Sequence, residues 1–188
     1  MPLPPLVGGR VPVGRHPATL DEVKADFVDA PAFASSSRRP YLWDQFELGL
    51  ATLQGVVSVH AAWLAGSFIT DKVDPGDVDV TFLVNAAQRY SLPPQDARVV
   101  DSFLLRMDPV TGTMYRPHGL DLDSFIVDWH PFYGDFRQIP EYGVYTGWRG
   151  YWDDFWLRER SVPKRTSSPR EDAFPVRGYV EVSLDAYV

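Results

Sequence analysis

The chain has 188 residues, 45% of them hydrophobic and 14% aromatic, and this composition predicts one globular domain with a substantial core. Its formal net charge of −7 argues against a protein that coats nucleic acid through charge alone, and the absence of cysteine excludes disulfides and thiolate chemistry. No apolar run approaches the roughly 20 residues that a membrane-spanning helix needs, and the N-terminus lacks the apolar core of a signal peptide. The sequence therefore predicts a cytoplasmic protein with no membrane partner.

The first part of the chain predicts an arm and two helices. Residues 1–17 are rich in proline and glycine and predict an extended arm ahead of a single domain, residues 18–188. The capping-box sequence TLDE at residues 19–22 predicts a first helix. Apolar residues on one helical face predict a second helix from about Tyr41 to Gln54, with Gly55 placed to end it.

Strands alternate with helices in the rest of the chain. Apolar runs predict strands in residues 56–66 and 77–84, with a short helix between them, and a third strand in residues 119–129. Helices are expected around residues 94–107 and in the aromatic-rich segment after the third strand, before a closing strand near the C-terminus. The aromatic side chains of the last helix are interpreted as core rather than as a stacking surface for nucleobases. This order of elements predicts a mixed α/β or α+β domain.

The stretch GSFITDKVDPGDVDV, residues 66–80, concentrates the chemistry. Gly66 and Ser67 form a turn after the first predicted strand, and a turn that leads into a helix N-terminus can bind phosphate oxygens. Asp77 and Asp79 lie two residues apart in the next strand, so both side chains point to one side. Carboxylates at that spacing repel each other unless they share a cation, and their oxygens suit Mg²⁺ or Mn²⁺. The stretch therefore predicts a metal site for phosphoryl or nucleotidyl transfer.

A third carboxylate on a neighbouring strand would complete such a site, and the segment GLDLDSFIVDW offers three aspartates. Asp121 and Asp123 share one strand face and are the favoured catalytic candidates, with Asp123 as the third metal ligand. Asp128 lies on the other face and is the weaker candidate. The choice among them depends on strand register, which the sequence leaves open.

Three groups of cations are candidates for contact with a phosphate or another polyanion. Lys72 lies in the loop between the Gly-Ser turn and Asp77, although a single loop lysine is more often solvated. Arg38, next to Arg39 before the second helix, could close over a triphosphate, although a surface pair is commoner there. Basic residues also concentrate at about residues 157–175, which predicts either a solvated loop or a flap over a triphosphate or an RNA end.

The run GSFITDKVDPGDVDV resembles the signature of nucleotidyltransferases with the DNA polymerase β-like fold: Gly-Ser, about nine intervening residues, then Asp-hydrophobic-Asp. Within that superfamily the longer pattern is similar to small bacterial and phage proteins of uncharacterised function, whose openings resemble LPPLVGGRVPVGRHPATLDEV and whose final strands resemble VRGYVEV. The resemblance implies a small mixed sheet with helices mainly on one face. It also implies that Gly66 and Ser67 contact nucleotide phosphates and that Asp77 and Asp79 ligate metal.

The resemblance further implies a nucleoside triphosphate as donor and pyrophosphate as by-product, so a Mg²⁺- or Mn²⁺-dependent nucleotidyltransferase is the leading hypothesis. The acceptor is left open among an RNA end, a protein hydroxyl and a small molecule, and a toxin or phage-defence role follows by analogy only. The alternative is a catalytically degenerate fold that senses a nucleotide or binds a protein. Because so small a domain has little surface for selecting an acceptor, a homodimer or a partner protein is also expected.

Overall fold

The structure, a computed structural model, describes residues 2–130, 140–159 and 174–184. Most of the basic segment predicted at about 157–175 therefore lies outside the described residues. No described helix is long and apolar enough to cross a membrane. The helices and strands, in chain order, are β1 (Gly14–Ala18), α1 (Leu20–Phe27), α2 (Arg38–Gln54), β2 (Val59–Ala65), β3 (Val78–Asn85), α3 (Ala86–Ser91), α4 (Pro94–Ser102), β4 (Arg106–Met107), β5 (Met114–Tyr115), β6 (Leu122–Trp129), α5 (Pro140–Trp156) and β7 (Gly178–Ser183).

Five of the strands form one mixed sheet in the order β1-β7-β2-β3-β6, and β4 and β5 form a separate hairpin. β2 runs antiparallel to both of its neighbours, β3 and β7. The outer pairs, β1 with β7 and β3 with β6, are parallel. The predicted mixed α/β class is therefore confirmed, with β1 and β6 as the two edge strands.

The local structure differs from the sequence-based expectations in several places. The helix expected around residues 94–107 ends at Ser102, and residues 106–107 form β4. The end of the segment predicted as an arm is the edge strand β1, which pairs with β7 in parallel from Gly14 opposite Gly178. The prediction of a short helix between β2 and β3 is wrong, because the chain forms a turn at Gly66 and continues as an irregular loop. Gly66 has a φ of 69°, and the Thr70 hydroxyl donates to the Ser67 carbonyl across this turn at 2.8 Å. The turn therefore has no helix N-terminus to offer to a phosphate.

The sheet has helices on both faces. Phe82 of β3 packs against Phe46 of α2, with ring centroids 6.2 Å apart, and its face holds the large apolar core. Thr81 points the other way, as alternation in a strand requires, and accepts a hydrogen bond of 2.9 Å from the Trp156 indole of α5. Because Asp79 lies two residues before Thr81, its carboxylate is on the α5 face. That face carries the polar residues of the candidate site.

The buried side chain of Arg39, at the start of α2, organises the loop between β2 and β3. Its solvent exposure is 0%, and its guanidinium lies over the Phe33 ring at 3.7 Å. The guanidinium donates to five backbone carbonyls at distances from 2.6 to 3.2 Å, those of Phe27, Phe68, Thr70, Lys72 and Val73. Desolvation lowers the pKa of Arg39 to about 10, so the group stays charged at neutral pH. Arg39 is thus a structural residue and does not face a ligand.

We expect Arg39→Met to destabilise the protein by at least about 3 kcal/mol, because it leaves buried carbonyls without donors. Arg39→Lys should recover only part of that loss, since an ammonium has three donors and no planar fork. Urea unfolding followed by far-UV circular dichroism measures the free energy. Arg98→Met, at an exposed position of α4, is the control and should stay within about 0.5 kcal/mol of wild type. Equal stability of the Arg39→Met and Arg98→Met variants would contradict the role given to Arg39.

Candidate functional site

Strand register brings together the carboxylates that the sequence analysis singled out. β3 and β6 run parallel with Asp79 opposite Asp123, so the two side chains are neighbours on the same face of the sheet. Asp77 lies two residues before Asp79, just ahead of β3. On the other side, Asp79 is opposite Ala65, the last residue of β2. The acidic residues thus collect at one end of the central strands.

Asp79 is half-buried, and its carboxylate is strongly desolvated. Desolvation, followed by the nearby negative charges of Asp77 and Asp123, raises the pKa of Asp79 to about 7. Arg177 and Arg116 act in the opposite direction, but do not cancel these effects. A carboxylate that is crowded by two others in a half-buried position is destabilised as an anion. Such a position is therefore favourable for a cation.

Gly66 is required at its position by its contact with Asp79. Its positive φ of 69° is a conformation that side chains rarely adopt, and a methyl group added there would overlap the Asp79 carboxylate. The Gly-Ser turn and the metal-ligand candidate are therefore in direct contact. Ser67, the next residue, is half-buried.

Arg116 neutralises Asp123. Its side chain is only 11% exposed and forms an ion pair with the Asp123 carboxylate. The Arg116 Nε also donates to the Ser124 carbonyl at 2.7 Å, and the guanidinium lies 4.7 Å from the Phe125 ring centroid. Arg116 carries no signal in the sequence, because only the fold brings it beside the acidic residues.

Arg38 neutralises Asp121 at the rim of the site. Its Nη1 lies 2.9 Å from the Asp121 carboxylate, and its guanidinium also donates to the backbone carbonyls of Pro75 and Gly76. Arg38 thus connects α2 to the Asp-Pro-Gly turn before β3. Arg38 therefore lies at the rim of the candidate site, where it contacts a carboxylate and not an open phosphate position.

These residues surround a cleft of about 530 Å³, which we call the acidic cleft. Its lining residues are Gly76, Asp77, Leu105, Met114, Arg116, Leu120, Asp121, Leu122, Asp123 and Phe125. Asp79, Ser67 and Lys72 do not line it: Asp79 lies deeper, and Lys72 is exposed in the loop. The acidic cleft therefore combines three carboxylates with one arginine and an apolar wall.

Asp128 lies away from the acidic cleft. Its carboxylate accepts hydrogen bonds from Arg89 at 2.6 Å and from the Tyr90 hydroxyl at 2.7 Å, both from α3. Among the three aspartates of β6 and its approach, the fold thus places Asp123 beside Asp79, Asp121 at the rim, and Asp128 at the far end of the strand.

The donor set suits a hard cation, but its arrangement is not that of a preformed metal site. Carboxylate oxygens are the ligands that Mg²⁺ and Mn²⁺ prefer. Among the residues that the structure describes, no three acidic or histidine side chains are grouped closely enough to hold a metal ion. Asp123 and Asp121 are paired with arginines instead. A metal would therefore bind first to Asp77 and Asp79 and would compete with Arg116 for Asp123.

Fold and site together define a small mixed α/β protein with a carboxylate cluster at one end of its central strands. The chain belongs to the DUF6932 family, a family of unknown function, whose model matches residues 7–183. Neither the curated proteins nor the solved structures contain a match to this chain.

We expect Asp79→Asn to stabilise the metal-free protein at pH 8. In the folded state the pKa of Asp79 is raised from 3.8 to about 7, so the unfolded chain releases this proton first and the wild type loses stability as pH rises between these values. The variant should gain about 1 kcal/mol or more at pH 8 in EDTA, and little at pH 4. Urea unfolding at both pH values measures this difference.

Asp44→Asn, on the exposed side of α2, is the matched control for the loss of one carboxylate. It should change the free energy of unfolding equally at the two pH values. If Asp79→Asn behaves like Asp44→Asn, burial and crowding of Asp79 do not affect stability in the way described.

Proposed function

We propose that this protein is a metal-dependent nucleotidyltransferase, which moves a nucleoside monophosphate from a nucleoside triphosphate to an acceptor hydroxyl. The observation that carries the proposal is the pairing of Asp79 with Asp123 across two parallel strands, with Asp77 beside them and Gly66 against the Asp79 carboxylate. The resemblance of GSFITDKVDPGDVDV to the DNA polymerase β-like signature supports it independently. A cytoplasmic location, where nucleoside triphosphates are available, is part of the proposal.

Asp77 and Asp79 would hold Mg²⁺ or Mn²⁺, with Asp123 as a third ligand. The metal would supply charge neutralisation at the transferred phosphorus. Gly66 and Ser67 would contact the phosphates through their backbone N–H groups. The acceptor oxygen would attack the α-phosphorus, the bond from that phosphorus to the αβ-bridging oxygen would break, and pyrophosphate would leave. Positioning and electrostatics would therefore account for most of the catalysis.

Arg116 in the acidic cleft and Arg38 beside it have a defined part in this proposal. Arg116 occupies Asp123 and Arg38 occupies Asp121, so both carboxylates are neutralised before a substrate binds. When Asp123 turns to a metal, Arg116 would be released beside the phosphates, where a guanidinium is a suitable partner. Asp121, once released from Arg38, would be free to orient the acceptor hydroxyl or take its proton.

The same ion pairs favour a second candidate, a degenerate fold that binds a nucleotide or a protein without transfer. The Arg116–Asp123 pair fills the position of a third metal ligand, and the described residues include no ready-made group of three donors. A protein of this kind would bind nucleotide without releasing pyrophosphate. Turnover therefore distinguishes the two functions.

We expect a nucleoside triphosphate with Mg²⁺ to raise the melting temperature of the wild type, and the nucleotide without metal to do so much less. A ligand that binds only the folded state stabilises it by RT ln(1 + [L]/Kd), about 2.7 kcal/mol at a concentration 100 times Kd. Asp77→Asn/Asp79→Asn should lose the metal-dependent part. ATP, GTP, CTP and UTP are compared by differential scanning fluorimetry, and pyrophosphate release is measured with the nucleotide that binds.

Asp128→Asn is the matched control, because Asp128 is on the same strand as Asp123 but bonds to α3 instead of lining the acidic cleft. It should keep the metal-dependent shift, whereas Asp123→Asn should reduce it. Binding without pyrophosphate release in the presence of candidate acceptors would favour the sensor. No metal-dependent shift with any of the four nucleotides would contradict the transferase, and no nucleotide shift at all would leave only the protein-binding form of the degenerate fold.

A further inference from the structure

β6 is an edge strand whose outward backbone groups can be identified. The Asp121 carbonyl accepts a hydrogen bond of 3.1 Å from Val78 N, so the backbone of Asp121 faces β3. The Ser124 carbonyl faces outward, because it accepts a bond from the Arg116 side chain. In a parallel pair, inward and outward residues alternate. The backbone N–H and C=O groups of Ser124, Ile126 and Asp128 therefore point away from the sheet.

Within the described part of the chain, no strand or side chain pairs with the central part of this edge. No residue of the described ranges bonds to the outward backbone groups of Ile126. Arg116 covers only the Ser124 carbonyl, at the end nearer to the carboxylates. Unpaired N–H and C=O groups on an edge strand are a template for another strand. The exposed edge is therefore a binding feature with a defined backbone pattern.

A groove of about 390 Å³, which we call the edge groove, follows this strand. Five consecutive strand residues, 124–128, line it, so it runs along the edge of the sheet and not across one face. Leu104 and Leu105 form one wall and Trp148 and Trp152 of α5 form the other. Trp148 is 54% exposed and Leu105 is 44% exposed, so both offer apolar surface to a partner.

The edge groove continues into the acidic cleft. Leu105 and Phe125 line both, which places one end of the groove at the carboxylates and the other near Asp128. Residues 124–128 span about 16 Å at the rise of a strand, which is the length of about five residues of an extended peptide. In such a peptide alternate side chains would contact the two apolar walls. A nucleobase, in contrast, would use neither the length of the groove nor its row of backbone groups.

We propose that the edge groove binds an extended polypeptide segment, which adds a strand to β6 and brings a serine, threonine or tyrosine hydroxyl to the acidic cleft. This inference rests on the proposed function and names its acceptor class as a protein. The hydroxyl oxygen would attack the α-phosphorus of the nucleotide, and its proton would pass to Asp121 or to water. The phosphorus–oxygen bond to pyrophosphate would break, leaving a nucleoside monophosphate on the peptide oxygen.

The test begins with a phage-displayed library of random linear peptides that contain hydroxyl residues, selected on the wild type without nucleotide. Selected peptides are synthesised, and their Kd values are measured by fluorescence anisotropy. Methylating one peptide amide at a time should weaken binding at every second residue, because only alternate N–H groups of an added strand face β6. Helical or polyproline ligands would give no such alternation.

Two sets of variants test the site. Ile126→Pro removes the outward N–H without removing a bond to β3, and should weaken binding at least about 10-fold. Trp148→Ala keeps the backbone intact and should also weaken binding at least about 10-fold. Tyr151→Ala is its matched control, since Tyr151 is 52% exposed on the same helix but does not line the groove. It should stay within about 2-fold of wild type.

The proposal is overturned if no peptide is enriched on the wild type relative to Trp148→Ala, or if neither Ile126→Pro nor Trp148→Ala weakens peptide binding. It is also overturned if light scattering finds a wild-type dimer that Ile126→Pro converts to a monomer, because a second copy then occupies the edge. If the wild type binds a selected peptide but shows no metal-dependent nucleotide binding, the proposed function is contradicted and the groove assignment stays intact. Transfer of label from [α-³²P]nucleotide to a selected peptide would support both the proposed function and the assignment of the edge groove.

Discussion

The position of the buried Arg39 guanidinium constrains everything around the candidate site. A buried cation is tolerated only when its donors are satisfied, and here five carbonyls, four of them from residues 68–73, turn toward it. That requirement shapes the connection between β2 and β3 as an irregular loop rather than a helix. The loop in turn places Gly66 against Asp79 and leads the chain back into β3.

Two carboxylates at the acidic cleft form ion pairs with arginines. Asp123 pairs with Arg116 and Asp121 with Arg38. Asp79 is desolvated and crowded by other carboxylates, and it has no such ion pair among the described residues. A cation would therefore gain most at Asp79. Asp123 and Asp121 could bind the same cation only after their ion pairs with Arg116 and Arg38 break. Metal binding would therefore release these guanidinium groups to contact a phosphate.

Local patterns were sufficient to predict most elements, and register was needed for the rest. Apolar runs predicted β2 and β3, alternation predicted β7, and helical spacing predicted most of α2, because each of these segments buries much of its apolar surface. β1 was not predicted, since its Gly- and Pro-containing sequence has no alternation and depends on pairing with β7. The roles of Arg39 and Arg116 could not be predicted for a similar reason. The carbonyls that Arg39 binds lie 12 to 34 residues away in the sequence, and Arg116 contacts Asp123 only in the folded sheet.

β7 lies between β1 and β2, although it comes last in sequence among the described strands. While the ribosome is still making the protein, β2 has one edge without a partner and β1 has no neighbour in the sheet. β1 and β2 therefore become part of one sheet only after residue 183 has emerged and β7 has paired with both. Long-range pairing of this kind is slow. A nascent chain should hold its carboxylate cluster in an unfinished sheet, so any activity would begin only after β7 has paired with β1 and β2. Until then, the open edge of β2 is available to chaperones.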